Sequence, residues 1–128
     1  MPMQAYNPDG VHAPTFYSHA VEIGPSSRIL YVSGQIGVGR DGVLVEGFDE
    51  QTEQAIRNLA AVLRQAGMAP TDVIKLTTFL VRREDLDSFR IIRERFCGHH
   101  RPASTVLFVS SLAREDALIE IEAVAAKP

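Results

Sequence analysis

The run LIEIEAVAA, residues 118–126, alternates so that Ile119, Ile121, Ala123 and Ala125 share one face of a strand while Leu118, Glu120, Glu122 and Val124 share the other. One side is wholly apolar and belongs against a core. The other carries two acids whose burial is costly unless water, a donor or a cation meets them. A chain containing this strand must build a sheet with unlike faces. A carboxylate held on such a face with a tuned pKa is a common source of general acid or base chemistry near neutral pH, which makes Glu120 and Glu122 the first site candidates. The plainer alternative is a solvated face, ordinary for one side of an antiparallel sheet.

The remaining elements set the architecture. Residues 17–23 and 29–35 are rich in β-branched and aromatic side chains, and the cluster Gly24-Pro25-Ser26-Ser27 between them signals a turn, so the two are predicted to pair antiparallel. From Asp49 the period becomes 3.6 residues, with Ile56, Leu59, Ala60 and Leu63 on one face, acids early and Gly67 at the stop. Residues 73–81 read as a strand apolar on both faces, and Leu86, Phe89, Ile92 and Phe96 mark a second amphipathic helix. After Gly98 and Pro102 come two closing strands, residues 104–110 and 118–125, joined by the polar stretch around Ala113-Arg114-Glu115-Asp116. The 128 residues fit one domain, 1–128. Two helices with one apolar stripe each cover only one side of a sheet of five or six strands, which predicts a two-layer α+β sandwich. Leu107, Val109, Leu118 and Val124 are expected on the uncovered face, where a lone chain would expose an apolar patch. The remedy is a closed homo-oligomer with pockets between subunits.

Several chemistries are disfavoured. A net charge of −3 with 45% hydrophobic and 23% charged residues describes an ordinary globular chain rather than one that seeks nucleic acid. MPMQAYNPDG lacks both a basic patch and an apolar signal core, and no apolar run approaches membrane-spanning length, so the expected place is the cytoplasm. Cys97, the single cysteine, forms no internal disulfide and falls on an apolar-periodic helix, where packing is its expected role. SGQIGVGRDG has neither a phosphate-loop ending nor dinucleotide-fold spacing, and a strand end and turn account for Gly37, Gly39, Asp41 and Gly42 better than for Ser33 and Gly34. His12, His19, His99 and His100 lack the spacing of a zinc site, and neither Ser33 nor Ser104 sits in a nucleophile motif. Arg82, Arg83, Arg90, Arg93 and Arg95 make the second helix basic on one side, but Glu84, Asp85, Asp87 and Glu94 on the same segment point to a self-paired surface.

Taken together, YVSGQIGVGRDG, EQTEQAIRNLAAVLRQAGMAPTDVIKLTTFLV, RPASTVLFV and LIEIEAVA resemble the RidA/YjgF family of reactive imine and enamine deaminases, in order and spacing and over nearly the whole chain. The resemblance implies a chorismate-mutase-like fold, a mixed sheet of about six strands with two helices on one face, and a homotrimer whose sheets form a central barrel with ligand pockets at subunit interfaces. It also implies hydrolysis of 2-imino acids to 2-oxo acids and ammonia, with no cofactor and no metal. By the same likeness Tyr17, Ser33 and Gly34 are pocket residues and Glu120 positions the attacking water. The family's arginine, which clamps the substrate carboxylate, follows Pro-Ala; this chain reads PAS and offers Ser104. A hydroxyl has neither the charge nor the fork of a guanidinium. Val106 stands where a cysteine is usual, leaving a backbone carbonyl to hold water, and Arg93 stands where a helix asparagine is usual. Arg93 or Arg101 is therefore expected to restore the cation and to pair with Glu120. Failing that, the resemblance leaves a non-catalytic metabolite-binding or regulatory trimer as the alternative.

Overall fold

A computed structural model describes residues 3–128, in which six strands and two long helices follow one another as β1 (Met3–Tyr6), β2 (Ala20–Ile23), β3 (Arg28–Gln35), α1 (Phe48–Gln65), β4 (Val73–Leu80), α2 (Leu86–Cys97), β5 (Ala103–Phe108) and β6 (Ile119–Lys127). Helix α1 starts after Gly47, whose φ of 88° suits a glycine, carries Asp49 and Glu50 at its positive end and Arg64 near its negative end, and stops before Gly67 at φ 73°. Its buried stripe is Thr52, Ala55, Leu59 and Leu63, so Ile56 and Ala60 of the expected stripe lie at its half-buried margin. Helix α2 buries Phe89, Ile92, Arg93 and Cys97 and ends at Gly98, φ 59°.

The main sheet runs β3-β6-β4-β5 and is mixed, because β4 and β5 are parallel while β6 pairs antiparallel with both β3 and β4. A parallel pair needs a crossover, and α2 is that crossover. Both helices pack on one side, where Ala55, Leu59, Leu63 and Phe89 meet Leu76, Leu80, Ile119, Ile121, Ala123 and Ala125. The alternation read from the closing strand is thus realised: its apolar face is the core, while Glu120 is half-buried and Glu122 exposed on the other side.

Two expectations are corrected. Residues 17–23 and 29–35 do not pair; β2 pairs with β1, from Met3 opposite Ile23 to Tyr6 opposite Ala20, and β3 pairs with β6 instead. The four-residue β2 takes the four-residue β1 as its mate, while the eight-residue β3 pairs along the nine-residue β6. The hairpin is stitched to the β5 edge by a bridge between Ser18 and Ala103, with Ser18 N–H donating to the Pro102 carbonyl at 3.0 Å. Tyr17 lies in the loop before this bridge, outside any strand. Strand β4 lies between β5 and β6, so the polar stretch that joins these two does not make them neighbours.

The uncovered face carries Ile29, Tyr31 and Leu107, exposed by 50%, 77% and 44%. Leu107 and Val124 lie there as expected, but Val109 and Leu118 fall outside the strands, and Leu118 packs against the core cluster. The sheet of one chain is open rather than closed into a barrel. Exposed apolar side chains on both edge strands make this face a candidate association surface, and Tyr31→Glu combined with Leu107→Glu is expected to shift sedimentation toward the monomer. Unaltered sedimentation would show that the face is not an interface. Among the described residues no helix is long and apolar enough to cross a membrane.

Candidate active site

The parallel register of β4 and β5 sets Ser104 beside Leu76 and Val106 beside Thr78, which turns both toward the helices. Above them α2 contributes Arg90 and Arg93, and the loop before β2 contributes Thr15, Phe16 and Tyr17; together these line a cavity of about 380 Å³. Arg93 is only 6% exposed, yet it makes no ion pair among the described residues. Its guanidinium sits 5.5 Å from the rings of both Phe16 and Phe89, and among the described residues its one polar side-chain contact is a long 3.4 Å hydrogen bond donated to Ser104 Oγ. Burial pushes Arg93 below the ordinary arginine value; Cys97 and Glu94 oppose this, and the nearby Arg90 and Arg101 add to it. A buried, forked cation facing a cavity has the geometry to accept a two-oxygen anion bidentately.

Tyr17 is held from behind. Its hydroxyl lies 2.9 Å from His12 Nε2, His19 Nε2 donates to the His12 carbonyl at 2.7 Å, and the His19 ring meets both Tyr17 and His12 edge-on. His19 N–H in turn donates to Asn7 Oδ1 at 2.8 Å. The histidines therefore order the loop, and no group of three or more metal-ligating side chains occurs among the described residues.

Arg101 is spent on structure. It donates to Glu94 Oε1 at 2.6 Å, to the Gly98 carbonyl at 2.7 Å, to the His100 carbonyl at 3.1 Å and to the Thr15 carbonyl at 3.3 Å. These bonds clamp the end of α2 to the loop that carries Tyr17, and Arg101 is not among the cavity's lining residues. Cys97 is buried and its thiol is raised above the ordinary value, chiefly by desolvation, which suits packing rather than nucleophilic attack.

Glu120 occupies the opposite side of the sheet. Across β6, β4 and β5 it shares a row with Phe79 and Leu107, one residue out of phase with the row that turns Val106 to the helices. In β3 the register slips between Val32, opposite Ala123, and Gln35, opposite Ile121, so one extra residue bulges at Ser33-Gly34. The bulge brings Gly34 against Glu120: a Cβ on Gly34 would stand 2.6 Å from Glu120 Cδ and collide with the carboxylate. Space, not backbone conformation, requires this glycine, which explains the residue that turn chemistry left unaccounted for.

A single chain thus gathers Tyr17, Arg93, Ser104 and Val106 in one cavity, and Ser33, Gly34 and Glu120 on the other face. The expected pairing of Arg93 or Arg101 with Glu120 does not occur within a chain. Thr15, Phe16 and Arg90 also line the cavity and were not foreseen. Only Arg90 left a signal, its spacing of three from Arg93 on one helix.

These features define a class: a two-layer α+β protein with a cationic cavity between its crossover helix and sheet edge, and a carboxylate cradled on its free sheet face. The chain belongs to the RidA/YjgF family, whose family model, described as Endoribonuclease L-PSP, matches residues 9–127. It is 36% identical over 111 residues to the human 2-iminobutanoate/2-iminopropanoate deaminase, covering 85% of this chain and 78% of that one. It is 35% identical over 113 residues to a RutC family protein of Pyrococcus abyssi, covering 87% and 86% respectively. A crystal structure of YyfB, a Rid family protein of unknown function from Yersinia pestis, superposes with a TM-score of 0.89 at 36% identity, covering 99% of this chain and 100% of that one.

Proposed function

We propose that this protein hydrolyses reactive 2-imino and enamine acids to 2-oxo acids and ammonia, in pockets assembled between copies of the chain. The observation that carries the reading is Arg93: buried, without a carboxylate partner among the described residues, and 3.4 Å from the serine that stands where the family pattern has its clamping arginine. On this reading helix α2 supplies the cation that strand β5 lacks, with the Arg93 guanidinium 3.4 Å from Ser104 Oγ. The human relative's name as a 2-iminobutanoate/2-iminopropanoate deaminase supports the substrate class.

In this reading Arg93 takes the substrate carboxylate, while Tyr17, ordered by His12, and the Ser104 hydroxyl orient the imine. The base is Glu120 of a neighbouring copy, because within one chain it faces away from Arg93. Association of three copies through the open sheet faces would bring each Glu120, with its Gly34 cradle, toward the next chain's cavity. Glu120 accepts a proton from water as the oxygen bonds to the imine carbon and the C=N π pair moves to nitrogen. Nitrogen takes that proton back to give the neutral amino alcohol; Glu120 then carries the hydroxyl proton to nitrogen as the C–N pair leaves with ammonia and the O–H pair becomes the second bond of the carbonyl. Water is the only co-reactant.

The test is to generate 2-iminobutanoate with an amino-acid oxidase and follow its decay. Acceleration above the spontaneous rate is expected in proportion to protein concentration. A decay rate equal to that of buffer would reject the assignment. If the protein nevertheless showed thermal stabilisation by 2-oxobutanoate, the non-catalytic binding trimer would be the better reading.

A further inference from the structure

The cavity holds more positive charge than one carboxylate needs. Its lining residues Thr15, Phe16, Tyr17, Arg90, Arg93, Ser104 and Val106 include two guanidinium groups and no acid. Of the neighbouring charges, Glu94 is taken by Arg101 at 2.6 Å, and Arg95 turns away to Glu53 at 3.6 Å. Among the described residues Arg90 has only Asp87, at 3.9 Å, and the Asp87 side chain is 94% exposed, so water screens that pair and a bound anion can replace it. Arg90 and Arg93 stand three apart on α2, which places them side by side on one face, Arg93 deep between Phe16 and Phe89 and Arg90 at the mouth.

Building on the imine-hydrolase reading of this same cavity, we propose that its preferred substrates are dicarboxylic 2-imino acids of succinate or glutarate length, with the α-carboxylate on Arg93 and the side-chain carboxylate on Arg90. The two groups discriminate differently. Arg93, desolvated, fixes any 2-imino acid, whereas Arg90 adds a second charge-assisted contact only when the side chain ends in an anion. An apolar side chain would leave Arg90 to water and gain only the flank of Phe16 and Val106. The chemistry at the imine carbon is unaltered: water adds, ammonia leaves, and the distal carboxylate takes no part. The enzymes that would feed such a site are those that oxidise or eliminate from acidic amino acids and release an imine.

The experiment compares 2-oxoglutarate, 2-oxobutanoate and inorganic phosphate by titration calorimetry against the oligomeric protein, its Arg90→Gln variant and its Arg93→Met variant. Turnover of 2-iminoglutarate and 2-iminobutanoate, made by amino-acid oxidases, is measured alongside. The expected result is about tenfold or greater preference for the dicarboxylate in both binding and kcat/KM, erased by Arg90→Gln. Equal affinity for the two oxo acids, with 2-oxobutanoate binding still abolished by Arg93→Met, would overturn the dicarboxylate inference and leave the imine-hydrolase reading standing. Phosphate binding as tightly as 2-oxoglutarate would also overturn it, because the cavity would then read charge alone. Binding of neither oxo acid would overturn both.

Discussion

Glu120→Gln is expected to lower kcat for 2-iminobutanoate by about 10²- to 10⁴-fold, the range over which a positioned acid–base group acts, with a smaller change in KM. The split follows from the division of labour across the sheet. In the proposed mechanism binding energy comes from Arg93 in the helix-side cavity, while Glu120 on the free face would work on water and on the leaving nitrogen. Glutamine keeps the volume and removes the basic oxygen, so melting temperature and sedimentation should match the parent. Gly34→Ala tests the same group by displacement, since a Cβ there would collide with the Glu120 carboxylate and push it off its row beside Phe79. Kinetics of 2-iminobutanoate decay under saturating substrate decide the matter. A Glu120→Gln protein that keeps more than half of the parental kcat would remove Glu120 from the mechanism.

How much of this was legible beforehand depends on whether a feature was local. The faces of the closing strand were readable because period-two alternation is written in consecutive residues, and both helices were readable from their stripes and glycine stops. Strand order was not readable. β2 found its mate in the N-terminal segment, whose MQAY carries little strand signal, and β5 paired parallel with β4 across a whole helix. The site shows the same division. Glu120 and Ser104 could be named from motifs, but which arginine faces the cavity beside Ser104 is a question about geometry across the crossover. Arg93 and Arg101 both looked able to reach. Arg101 is instead consumed by four acceptors around the end of α2, three of them backbone carbonyls, and backbone acceptors leave no trace in side-chain patterns. Gly34 was visible as an oddity, and only the bulge shows what its missing side chain is for.

Arg93→Met is expected to move stability and function in opposite directions. Burying a guanidinium costs several kcal/mol, and among the described residues no carboxylate forms an ion pair with it, the nearby Glu94 offsetting only part of that cost. What remains in its favour is small. Two ring contacts near the outer limit of cation–π attraction give about 0.5–1 kcal/mol each, and a 3.4 Å hydrogen bond to Ser104 adds less than a well-formed one. Methionine has similar reach, no desolvation cost, and sulfur–aromatic contacts of about 0.3–1.5 kcal/mol with the same Phe16 and Phe89. A net gain of about 1 kcal/mol corresponds to about 3–5 °C in Tm for a chain of this size, measurable by calorimetry. The same variant should lose about 10²-fold in affinity for 2-oxobutanoate, because a charge-assisted bidentate contact has no apolar substitute. Arg93→Lys should fall between the two, keeping the charge without the planar fork. A lower Tm for Arg93→Met with affinity intact would mean that the arginine is a structural strut. A higher Tm with affinity lost would mean that the fold carries an unpaired cation for the ligand that pairs with it.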